Sequence, residues 1–195
     1  MSYTEIVKFG KSGKAEGLID IKNAWRGAVA IWNIVGDRYL GKYIPDYVKN
    51  NPSIPQRDSY SRLGDEGELK KVWSLLNDDK VSEVDRICLG TTMDWVIVRR
   101  KNLPELIKAF REFEGETSLK EQADAIEAAM NEDSELKAIA WNQTSVCENR
   151  WLSYKYHNLK DESYPYNLKR HKEHWNLFEE EAESHKEQEK QGVNN

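Results

Sequence analysis

Six consecutive residues, Ala140-Trp141-Asn142-Gln143-Thr144-Ser145, set an indole at the end of an apolar run beside four neutral polar side chains. Amides and hydroxyls in succession supply several donors and acceptors without charge, which suits hydrogen bonding to a base, a sugar or a peptide backbone. Trp141 would be the platform on which a flat ligand stacks. The same residue types also cap turns and bond to neighbouring backbone, so a structural role stands beside the binding one. A second candidate is Gly90-Thr91-Thr92-Met93-Asp94. Glycine permits the turns that aim backbone N–H groups at an anion, and the Thr91 and Thr92 hydroxyls would add donors. The lysine and glycine spacing of a P-loop is missing, Asp94 would repel a phosphate, and a connection between two strands explains the segment as well. Trp25 and Arg26, with Arg38 further along, offer a planar guanidinium fork for a phosphate or carboxylate, although such arginines more often pair with surface acids. If Arg26 met Trp141 and the polar run after it, the result would be a pocket for a small or nucleotide-like ligand.

Catalytic and metal-binding patterns are thinner. His171 and His174 stand one helical turn apart, one element of many zinc sites, but no spacing supplies a third ligand. Cys147 and His157 are a conceivable thiol and imidazole pair without an orienting acid or an oxyanion hole. Glu112 with Glu116, and Asp65 with Glu66, read as solvated faces. Tyr154, Tyr156, Tyr164 and Tyr166 with Lys155 and Lys169 combine stacking and positive charge, but the surrounding acids favour a protein interface over nucleic acid. No catalytic residue, metal or cofactor is assigned from these patterns.

The elements that must position these residues follow from periodicity. Tyr3 to Ile21, with Gly10, Gly13 and Gly17, suggests a hairpin whose second arm is Gly17 to Ile21. From Asn23 as a cap, Trp25, Ala28, Val29, Trp32, Val35 and Tyr39 recur on one helical face, weakened by Gly36 and Gly41. Pro45, Pro52 and Pro55 predict an exposed loop. Asp65 and Glu68 cap a helix with the stripe Leu69, Val72, Trp73 and Leu76. Val84 to Leu89 and Trp95 to Val98 read as two β-rich strands, which would place Cys88 in a strand. Leu103, Leu106, Ile107 and Phe110 predict a helix with Pro104 in its first turn, stopped by Gly115. Ser118 to Glu121 has the form of a capping box for a helix through Ala123, Ile126 and Met130, and a strand from Leu136 to Trp141 follows. The expected fold is α+β, a small and mainly antiparallel sheet with helices on one face and the outer face open for binding. After Val146 an irregular aromatic wrap is expected to complete one domain over residues 1–178, followed by a charged helical tail over 179–195 that is solvated or disordered.

Composition bounds the rest. The chain has 195 residues, 32% of them charged, a net charge of -5 and seven tryptophans. Its mean hydropathy is -0.83. So polar a chain must draw much of its core from large amphipathic rings, and the modest negative charge gives no electrostatic case for nucleic acid. No basic and apolar leader and no run of roughly 20 apolar residues is present, so a cytoplasmic protein that does not engage membranes is expected, with Cys88 and Cys147 reduced.

The segments Asn23 to Ala28, Leu89 to Asp94 and Ala140 to Ser145 resemble those of small uncharacterised accessory proteins of phages, prophages and other mobile elements. The resemblance spans most of residues 18–178 and brings no catalytic set with it. It implies a context of host and phage conflict, such as anti-defence. The sequence therefore points first to a non-enzymatic binding protein that occupies a host protein or sequesters a small polar, nucleotide-like ligand. Trp141, Asn142, Gln143 and Thr144 would make the contacts, supported by Trp25, Arg26, Thr91 and Thr92. The alternatives are an enzyme acting on a nucleotide or related phosphorylated compound, with a histidine among His157, His171 and His174 as acid or base, and a structural homo-oligomer.

Overall fold

The structure is a computed structural model that describes residues 3–22, 26–51, 53, 61–93, 96–143 and 149–153. Its centre is a four-stranded sheet in which every neighbouring pair is antiparallel, in the order β2-β1-β4-β3. The strands are β1 (Tyr3–Phe9), β2 (Ala15–Lys22), β3 (Ile97–Arg99) and β4 (Ala138–Asn142). The last described strand therefore lies against the first, with Ile6 opposite Trp141 and Phe9 opposite Ala138. The first four residues of β4, Ala138 to Trp141, are buried on both faces, as expected of a short apolar run in the middle of a sheet. Between Ile6 and Val7 the β1 pairing steps from Ile19 to Gly17, so Leu18 is the extra residue of a bulge in β2.

Among the described residues six α-helices accompany the sheet: α1 (Ala28–Leu40), α2 (Asp46–Lys49), α3 (Glu66–Ser74), α4 (Glu83–Gly90), α5 (Leu103–Glu112) and α6 (Leu119–Glu132). Alternation puts Ile6, Ile139 and Trp141 on one face of the sheet, where Phe110 of α5 meets the Trp141 ring edge-on at 6.3 Å. Val7, Phe9, Ala138 and Ala140 occupy the other face. There Trp151, on a 3-10 turn at Arg150–Ser153, stands edge-on to Phe9 at 6.0 Å and donates its indole N–H to the Trp141 carbonyl at 2.8 Å. The α+β fold is thus as expected, but the second face is not open over its whole extent: Trp151 covers it beside Phe9.

Three arginines join the layers by reaching main-chain carbonyls. Arg62, on the 3-10 turn Arg62–Gly64, is 1% exposed and donates to the Asn33 carbonyl at 3.2 Å, to Asp37 at 2.6 Å and to the Gly41 carbonyl at 2.5 Å. Glu68 lies 3.7 Å from its Nε, and the Tyr43 ring is 5.6 Å from its guanidinium carbon. Arg38 of α1 binds the buried carboxylate of Asp85 on α4 and the Glu114 carbonyl, over the ring of Phe113. Arg100 closes the end of α6 by donating to the carbonyls of Met130 at 3.0 Å and Asp133 at 2.7 Å. A carbonyl at a helix end has no partner within the helix, so the bonds from Arg62 to Gly41 and from Arg100 to Met130 and Asp133 satisfy acceptors that would otherwise be left unpaired.

Several expectations need correction. Val84 to Leu89 is helical, not a strand, because Ser82 accepts from the Asp85 amide and caps α4 at 3.1 Å, and the β-prone Ile87, Cys88 and Leu89 form its buried side. Gly90 to Met93 accordingly leads out of a helix, not from one strand to another. The first helix begins at Ala28 with Gly27 as its cap, and its buried residues are Ile31, Val35 and Gly36. Gly36 is not a weak point of this helix, since its missing side chain makes room for Arg62: a Cβ there would lie 2.7 Å from the guanidinium carbon. The loop after Pro45 holds the short α2. Ser118 does not cap α6 with its side chain; its hydroxyl donates to the Arg26 carbonyl at 3.1 Å, and Glu121 reaches the Arg26 guanidinium at 3.2 Å. The last strand starts at Ala138, two residues later than expected. Asn23, Trp25, Pro52, Pro55, Asp94, Trp95, Thr144, Ser145, Cys147, the histidines at 157, 171 and 174, most of the aromatic wrap, the tail and the domain boundary at 178 lie outside the described residues.

Two predictions follow from the Arg62 site. In urea unfolding, Gly36→Ala destabilises the native chain by about 1–3 kcal/mol, because the guanidinium has to move. In an Arg62→Ala background the same change is neutral or stabilising by up to ~1 kcal/mol, the ordinary gain of alanine over glycine inside a helix. Equal effects in both backgrounds would disprove the socket. The second concerns Tyr43, whose hydroxyl donates to Asp65 at 2.8 Å. Burial first, then the Asp65 hydrogen bond and charge, push its pKa from 10.0 up to about 12. The folded state holds this proton more tightly, so the stabilisation is complete below the unfolded value near 10 and is lost as pH rises through about 12. Tyr43→Phe should be less stable than the parent at neutral pH, and the gap should close through that alkaline window.

Candidate functional site

The sequence candidates converge at the end of β4. Gln143, immediately after the strand, sits across from Thr4, whose hydroxyl donates to Gln143 Oε1 at 3.0 Å, and its own amide nitrogen donates to the Thr91 carbonyl. Register explains the meeting: Glu5 is opposite Asn142, so the next position out on each strand pairs Thr4 with Gln143 on the face shared by Ile6 and Trp141. Trp141, 1% exposed, donates its indole N–H to Gln122 Oε1 of α6 at 3.0 Å. Gln122 then donates from Nε2 to the Ser118 hydroxyl at 3.0 Å, and both the hydroxyl and the amide of Ser118 hold the Arg26 carbonyl. On the α4 side, Thr91 and Thr92 donate to the carbonyls of Cys88 and Leu89 at 2.8 and 2.5 Å, and Thr92 accepts from the Trp32 indole at 2.8 Å.

These groups surround one small cleft. Its polar lining is Thr4, Thr91, Thr92, Gln122, Gln143 and the Trp141 indole; Ile31 and the first residues of α1, Gly27 and Ala28, close it. Its volume is about 10 Å³, the room needed by one water or one terminal polar group. Among the described residues no ionisable side chain lines it. Its hydroxyl, amide and indole groups make hydrogen bonds without changing protonation state at neutral pH. The two threonine hydroxyls already donate to helix carbonyls and have no base beside them among the lining residues.

Of the eight residues singled out from sequence, Thr91, Thr92, Trp141 and Gln143 line this cleft and Arg26 adjoins it through Gly27. Trp141 is a core ring, and both its burial and its contact with Phe110 exclude it as an exposed stacking platform. Asn142 faces away, donating to Glu5 on the opposite side of the sheet at 3.0 Å. The Arg26 guanidinium is half exposed and pairs with Glu121. Trp25 and Thr144 lie outside the described residues. Sequence reasoning missed Gln122, Thr4 and Ser118; the spacing of Ser118 and Gln122, one helical turn apart at the start of α6, was the available signal.

Other chemistry-bearing groups lie elsewhere. The Cys88 thiol has its pKa pushed well up by burial and then by the Asp85 charge, with Arg38 opposing, and it contacts the Ala109 carbonyl. It is held as a neutral thiol, not a nucleophile. A larger groove of about 480 Å³ lies between α5 and α6, where Arg111 bridges Asp124 and Glu127 at 3.0 and 2.7 Å. Hydrogen bonding across this bridge raises the Arg111 pKa and lowers that of Glu127, so the rim charges are occupied with each other. Among the described residues no three His, Cys, Asp or Glu side chains come together to hold a metal ion, and no helix is long and apolar enough to cross a membrane.

Comparison with known proteins returns no match. Neither a protein-family model, nor a curated protein, nor a solved structure is significantly similar to this chain. Its own geometry is therefore what bears on function.

The hydrogen-bond chain makes a test of its own. Gln122→Leu leaves the buried Trp141 N–H without its acceptor and takes one donor from the Ser118 hydroxyl, which keeps the Arg26 carbonyl, and should cost about 1–3 kcal/mol in urea unfolding. A cost under ~0.5 kcal/mol, the level of an ordinary surface substitution, would show that the network does not hold α6 to the sheet.

Proposed function

We propose that this chain is a non-enzymatic binding protein that engages a protein partner across the polar cleft at the end of β4, as an accessory factor of phage or mobile-element type. The observation that supports this reading is the cleft's chemistry: a set of neutral donors and acceptors with no ionisable side chain among the described lining residues. Such a set suits recognition by hydrogen bonding. Its size bears on the choice of ligand. Small-molecule sites usually enclose ~300 Å³ or more, whereas this cleft admits one terminal group. A partner's side chain or backbone carbonyl resting on the rim matches that volume better than a sequestered nucleotide does. Gln143 is the partly exposed polar group of the lining, the exposed Arg26 is the chain neighbour of Gly27 in that lining, and Trp141, Gln122 and Thr4 are its buried polar members. The accessory setting, with anti-defence as its biological form, is supported by the sequence resemblance.

Two measurements test this reading. Native mass spectra of the purified chain should give the bare mass or whole multiples of it, and a small molecule released on denaturation would overturn the preference for a macromolecular partner. A photo-crosslinking side chain placed at Arg26 should capture one bacterial protein in host cells. The same probe at Lys108, in the groove between α5 and α6, should not capture it, and Gln143→Ala should weaken the Arg26 adduct. Equal capture from both positions would reject the cleft as the binding surface.

A further inference from the structure

We draw no further inference here: the strongest candidate, the groove of about 480 Å³ between α5 and α6 beside Ile107 and Met130, carries nothing because nothing in the structure shows what covers it.

Discussion

The polar cleft depends on the pairing of β1 with β4. These strands are separated by most of the described chain, yet five consecutive residues of each are in register, from Glu5 with Asn142 to Phe9 with Ala138. That register sets Thr4 against Gln143 and turns Trp141 toward α6, where Gln122 meets its indole. Closing so long a loop has an entropic cost that local contacts do not repay, although the cost grows only slowly with loop length. Apolar burial at Ile6, Val7, Phe9 and the alanines and isoleucine of β4 offsets it. A slip of one residue would reverse the faces, sending Trp141 to the side now held by Trp151 and Thr4 away from Gln143. The hydrophobic pattern of β4 and the cleft's hydrogen bonds thus specify the same register.

Around this sheet, a chain rich in charge solves a different problem. Helices that begin and end inside a small protein leave carbonyls and amides to be satisfied, and this chain answers many of them with side chains brought from elsewhere in the sequence. Arg62 takes the carbonyl of Gly41 after α1, and Arg100 those of Met130 and Asp133 at the end of α6. Charge in the sequence therefore does not map simply onto surface. Arg62 and Asp85 are as buried as the aliphatic core, and both have hydrogen-bonded partners of opposite charge. Removing either partner leaves the other to bear the desolvation.

How far the sequence could be read follows from whether each signal was local. Asp65 with Glu68, and Pro104 at the start of α5, are contained within one turn, and the structure places both helices where those residues put them. At α4 two local signals competed: β-prone Val84, Ile87 and Cys88 were read as a strand, while Ser82 three residues before Asp85 was the helix cap that prevailed. The role of Gly36 was not legible at all, because it depends on a side chain 26 positions later filling the space that glycine leaves. Sequence reasoning picked out Thr91, Thr92, Trp141 and Gln143 from their chemistry, but the partners that determine what each does, Thr4, Gln122 and Trp32, come from distant segments. Residue type nominated the polar cluster; only the β1–β4 register shows that it faces inward.

The bulge at Leu18 has a consequence beyond the hairpin. A sheet ends where its outer strand stops offering an even row of amides and carbonyls. In β2 the bulge at Leu18 splits that row into two short stretches, Ala15 to Gly17 and Ile19 to Lys22, with Asp20 and Lys22 standing exposed along the second. At the other border β3 lasts three residues before the chain turns into the 3-10 turn at Arg100–Asn102. Neither border is a good template for another chain to add to. A bulge and a very short strand are the features by which sheet edges generally discourage the pairing that builds fibres.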